Sequence, residues 1–160
     1  RPDRRPMPTL AEIIAAEADV VSAFVLLLLE EQEALKEGNA DALPGIIDRK
    51  MAVAQNLPPL SIARNTQLLG AGLAADRAGI DAWLQKHPGD KAVRQHWDKL
   101  QGLAAEAKEL NRLNGELIRL RMQNNTQALE ALLSAAHRQE LYSADGQAAS
   151  AAPRRIIDSA

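Results

Sequence analysis

The chain has no cysteine in its 160 residues, which excludes disulfides, thiolate nucleophiles and thiolate metal sites. That absence fits a reducing compartment. Aromatic residues are nearly missing: two Trp, one Tyr and one Phe. Valine, isoleucine and threonine together number only 17. Pleated sheets are filled by those types, so an all-β sandwich or barrel is excluded. Charge of one sign is also lacking, the formal net charge being −2. Nucleic acid needs a basic face, so no nucleic-acid partner is expected. The longest apolar run, residues 20–29, is broken by Ser22 and falls short of the roughly 20 residues that span a bilayer. Arg1, Arg4 and Arg5 precede it in the manner of a signal peptide. However, Glu12, Glu17 and Asp19 interrupt the stretch, and Glu30 and Glu31 stand where a small-residue cleavage site belongs. The expectation is a soluble cytoplasmic protein without membrane insertion.

What is present is helix-forming. Ala (30), Leu (23), Glu (11), Lys (6) and Arg (13) supply 83 of the 160 residues, a composition typical of long helices and coiled coils. The predicted fold is all-α: an elongated antiparallel three-helix bundle or coiled coil with a kinked or broken second helix and a long third helix. Residues 1–8 read as a flexible leader, 9–142 as a single helical domain, and 143–160 as a flexible C-terminal tail. The tail is rich in Ala, Ser and Gly, and Ile156-Ile157 is its one apolar element.

Thr9 followed by Glu12 makes a capping box that starts the first helix. Ile14, Val21, Leu28 and Leu35 recur every seven residues, while Glu17 and Glu31 interrupt the companion track of Leu10 and Phe24. Gly38 is placed to end this helix, and Asn39 to cap the second directly. Leu43, Ile46, Ile47, Val53, Ala54 and Leu57 form the second helix's expected apolar face. Pro58-Pro59 predicts a break or strong kink, with helix resuming near Leu60. Residues 80–86 read as a short helix or turn, His87-Pro88-Gly89 as a turn, and Asp90 as the cap of the third helix. That helix should run to about Tyr142, roughly 50 residues or about 80 Å. Its predicted inner face is Val93, Trp97, Leu100, Leu103, Ala107, Leu110, Leu113, Leu117 and Leu120. After the polar residues 123–127 the apolar stripe returns, rotated, at Leu129, Leu132, Leu133 and Ala136.

Chemistry is hard to find. G-x-S-x-G, P-loop and G-x-G-x-x-G motifs are absent, and His87, His96 and His137 have no ligand partners at metal-site spacing. No metal, cofactor or catalytic residue is expected, and the chain reads as a non-enzyme. Glu30, Glu31 and Glu33 read as a solvated acidic helix end. Two features are less ordinary. Residues 110–118 carry Asn111, Asn114 and Gly115 inside helical apolar spacing, although Asn-Gly normally marks a hairpin. A buried Asn there would fix register and Gly would allow close backbone approach, or the patch would seat a partner helix. Residues 141–146 hold the lone tyrosine, Tyr142, followed by Asp145-Gly146. These either stop the helix or offer an aromatic docking residue.

In this order on a long last helix, the two features resemble the FlgN family of flagellar export chaperones. The family pattern is Asn-x-x-Asn-Gly followed by an aliphatic pair, then a Tyr-x-x-x-Gly element about 20 residues on. Asn111, Asn114, Gly115, Leu117, Ile118, Tyr142 and Gly146 match it. The Leu-rich first helix with Glu30, the Lys50 region and the tryptophan near the start of the third helix are also similar. Pro58-Pro59 departs from a smooth second helix. The resemblance implies a cytoplasmic chaperone of the flagellar type III export system. It would bind the C-terminal helices of hook–filament junction proteins, prevent premature assembly and deliver them to the export gate. The partner-binding residues it suggests, with the late stripe, are Asn111, Asn114, Gly115, Ile118, Leu129, Leu132, Leu133, Tyr142 and Gly146, in a monomer or weak dimer. The competing reading is a homodimeric structural coiled-coil adaptor whose late stripe closes the dimer.

Overall fold

Thr9 is extended and its hydroxyl accepts from the Glu12 amide at 3.1 Å, so the predicted cap starts α1, Leu10–Glu37. Gly38 ends it in the left-handed region at φ 71°, donating back to the carbonyls of Ala34 and Leu35. The computed structural model describes residues 6–146, with side chains to Tyr142. Residues 1–5 of the expected leader, and residues 147–160 of the expected tail with Ile156-Ile157, lie outside the described residues. The elements are α1, a 3-10 turn Ala40–Ala42, α2 Leu43–Ala54, α3 Leu57–Gly70, α4 Arg77–Lys86 and α5 Lys91–Gly146. The fold is all-α, as predicted, with no strand among the described residues.

Three local expectations need correction. Asn39 makes no side-chain capping bond, because the 3-10 turn intervenes and Pro44 occupies the first turn of α2. The break before Pro58-Pro59 is real, but helix resumes at Leu57 rather than Leu60. The prolines sit in the first turn of α3, where a missing N–H costs nothing. A continuous helix would need Pro58 and Pro59 to donate to Ala54 and Gln55, which neither can do, so the chain breaks at Gln55-Asn56. Gly115 allows no close approach: a Cβ built there meets nothing within 4 Å. Close approach occurs instead at Gly79, where a Cβ would lie 1.7 Å from the Ala74 carbonyl oxygen.

The described residues belong to two compact units, Arg1–Leu117 and Ile118–Ala160. In the first, polar pairs fix the helix directions. Arg49 meets Glu30, Lys50 meets Glu31, Arg64 meets Glu17, and Gln67 donates to Pro8 O. From Lys50–Glu31 to Arg64–Glu17 and on to Gln67–Pro8 one number rises as the other falls, so the α2–α3 segment runs antiparallel to α1. Trp97 lies beside Arg64 and Asn114 beside Glu31, so α5 runs parallel to α1. The core collects Leu10, Ile14, Ala18, Val21 and Val25 from α1, Leu68 from α3, Ile80 and Leu84 from α4, and Val93, Trp97 and Leu100 from α5. Leu103, Ala107 and Leu110 pack against it half-buried.

On α5 the expected inner face holds as far as Leu110 and then changes. Leu113 and Leu120 are exposed, Leu117 is half-buried, and Asn114 takes the buried position. On α2 only Ile46 is fully buried, and Ile47 faces solvent.

Candidate partner-binding surfaces

The two glutamates that interrupt the apolar track of α1 are both buried. Glu17 accepts from Arg64 Nη1 at 2.8 and 3.0 Å and from the Ser61 hydroxyl at 2.9 Å. The Arg64 guanidinium also lies 5.3 Å from the Trp97 ring centroid. Glu31 accepts from Lys50 Nζ at 3.0 and 3.2 Å and from Asn114 Nδ2 at 2.8 Å, with Lys50 5.6 Å from the Phe24 centroid. Each level is thus a buried carboxylate, a cation and an aromatic face, geometry in which the cation gains from both partners. Burial pushes the Glu17 carboxyl above its ordinary value. The Ser61 hydroxyl and the Arg64 charge oppose that rise without cancelling it. The expectation that Glu31 belongs to a solvated acidic end is therefore corrected; Glu30 beside it is exposed and pairs with Arg49 at 2.8 Å.

Asn114 Nδ2 also donates to Leu28 O at 2.8 Å, which ties α5 to the α1 backbone. Its side chain fixes register between helices. Asn111, one turn earlier, is exposed and lines a groove of about 380 Å³. Val20, Val21 and Phe24 of α1, Ala54 and Leu57 flanking the break, and Ala104, Ala107 and Lys108 of α5 complete the lining. Sequence reasoning did not find this groove. Its signal is the pair of prolines, which prevents a continuous helix from closing over that stretch.

The second unit carries the late stripe. Leu129, Leu132 and Leu133 are 57%, 68% and 61% exposed, and Tyr142 is 81% exposed. Spacings of three and four residues put the leucines on one helix face. Ile118, Leu120, Met122 and Leu141 are exposed as well. α5 continues past Tyr142 through Asp145 to Gly146, so Asp145-Gly146 does not turn the chain. Among the described residues no group of three or more His, Cys, Asp or Glu could hold a metal ion, and no helix is long and apolar enough to cross a membrane.

The sequence profile described as FlgN protein matches residues 7–150. The chain belongs to the FlgN family. A flagella synthesis protein FlgN from Yersinia enterocolitica is 25% identical over 137 residues, covering 84% of this chain and 86% of that protein. A second Yersinia enterocolitica FlgN, from strain NCTC 13174, is 25% identical over 134 residues, covering 82% and 84%. A crystal structure of a flagella synthesis protein FlgN from Pseudomonas aeruginosa superposes with a TM-score of 0.62 at 25% identity, covering 74% of this chain and 90% of that one. The partner-binding residues expected from the sequence differ in their burial. Asn114 is turned inward against α1. Asn111, Gly115 and Ile118 are exposed, and Leu129, Leu132, Leu133 and Tyr142 are exposed in the second unit. Gly146 is the last residue of α5.

Proposed function

We propose that this FlgN-family protein is a cytoplasmic export chaperone. It binds the C-terminal helical region of hook–filament junction proteins, prevents their early assembly and delivers them to the flagellar type III export gate. One observation carries the reading: a helix in the second unit keeps Leu129, Leu132 and Leu133 mostly in water. Exposed apolar side chains grouped on one face mark an interaction site. A client helix that will later bury its own apolar stripe in a filament is the complementary surface, helix against helix, with anchors at three- and four-residue spacing. Tyr142 offers a large contact area with few rotatable bonds, which suits a second docking event at the gate. No step in this work breaks a covalent bond, so the reading is non-enzymatic.

The test is a calorimetric titration of a junction-protein C-terminal segment into wild type, Leu132→Asp and Leu133→Asp. Wild type should bind, and each Asp variant should lose about 2 kcal/mol or more of binding while keeping its melting temperature. Wild type that ignores the segment, or Asp variants that bind it unchanged, would refute the reading.

A further inference from the structure

We propose that the groove between α1, the break at Gln55-Asn56 and α5 is a second docking site for the client. It takes one or two apolar side chains of the junction protein's helical segment, together with a carboxylate about one turn away from them. The inference rests on the chaperone reading and adds a contact with charge selectivity, which the leucine stripe cannot supply.

The floor is apolar, made by Val20, Val21, Phe24 and Leu57. Its volume of about 380 Å³ lies at the small end of sites that hold ligands, which suits side chains rather than a whole helix. The rim decides the partner's charge. Among the described residues Lys108 is the one charged residue lining the groove, and it makes no ion pair with any of them. Arg112, one turn further along α5, is already bound to Glu109 at 2.7 and 3.0 Å. An anionic group entering the groove therefore meets an unpaired ammonium, and a cationic one meets repulsion. Asn111 lines the same groove with its amide bonded to no described residue, so it can donate to that carboxylate or to the segment's backbone. Ala104, exposed at the edge, leaves room for a helix to approach.

The experiment measures binding of the junction-protein C-terminal segment to wild type, Ala104→Trp and Lys108→Glu. A second segment, with its acidic residues changed to lysine, is measured beside it. Ala104 and Lys108 are exposed, so thermal melts should stay at wild type; if Ala104→Trp fails to fold, Lys108→Glu with the two segments carries the test alone. The proposal expects Ala104→Trp and Lys108→Glu each to weaken the native segment about tenfold or more. The lysine segment should bind Lys108→Glu better than it binds wild type. Wild-type binding that neither variant changes would overturn the groove while leaving the chaperone reading intact. Variants that change the sedimentation of the free protein and not client affinity would assign the groove to a second copy, and overturn it too. No binding by wild type would overturn the chaperone reading, and this inference with it.

Discussion

Replacing Glu31 alone should damage the protein far more than removing the whole polar level to which it belongs. Glu31 and Lys50 side chains are 4% and 15% exposed, and the carboxylate collects both Lys50 and Asn114. Glu31→Ala leaves the ammonium and one amide hydrogen without partners. Breaking a buried pair from one side costs about 3–5 kcal/mol. The residual exposure of Lys50 lets its head reach water along an apolar stem, so about 3 kcal/mol is expected. Lys50→Met is worse, about 4 kcal/mol, because the stranded carboxylate cannot snorkel and keeps only Asn114. The triple replacement Glu31→Leu, Lys50→Met, Asn114→Leu leaves no orphaned group. It should return to within about 1 kcal/mol of wild type. The assay is urea unfolding read by tryptophan emission, since Trp83 and Trp97 both lie in the first unit. Single variants that each cost under about 0.5 kcal/mol would refute the reasoning. A triple variant as unstable as the worst single would refute it as well.

Glu17 should give stability an acid-side component. Its folded pKa is raised, chiefly by burial, so its contribution is fully present below the unfolded carboxylate value and is lost as pH rises through the raised one. The stability difference between wild type and Glu17→Gln should therefore shrink from acid to neutral pH in urea melts; growth with pH would contradict the cause assigned. Gly79→Ala should cost about 3 kcal/mol or more, because its Cβ meets backbone at 1.7 Å. Gly115→Ala, with open space around it, should stabilise by up to about 1 kcal/mol through helix propensity, and equal effects at the two sites would show the packing to be misread. Tyr142→Ala should shift stability by under about 1 kcal/mol, keep the client segment bound, and weaken pull-down of the export gate's cytoplasmic domain. A large drop in its melting temperature would mark Tyr142 as structural.

Seven-residue spacing on α1 and the caps at Thr9, Gly38 and Asp90 were legible because each is a local rule with a local cause. Burial at Glu31 was not, since a charged residue beside two other glutamates reads as solvated until its partners are known. A signal was nonetheless present. Glu17 and Glu31 are fourteen residues apart, and so are Lys50 and Arg64 on the returning helices, which pair them in reverse order. The exchange of Leu113 for Asn114 on the inner face of α5 follows from the same network: Glu31 and Leu28 O offer Asn114 two acceptors that no leucine could use. At the candidate surfaces, the late stripe was readable from its rotation after the polar residues 123–127. The groove was not, because it exists only where three chain segments meet.

Hydrogen exchange of the protein with and without a junction-protein C-terminal segment tests the chaperone claim most directly, because it locates the contact without choosing a residue in advance. Slower exchange on binding should appear in peptides covering residues 126–142, with a second protected patch at residues 53–57 and 104–111 if the groove also takes the client. Protection absent from residues 126–142, or spread evenly along every helix, would contradict the account.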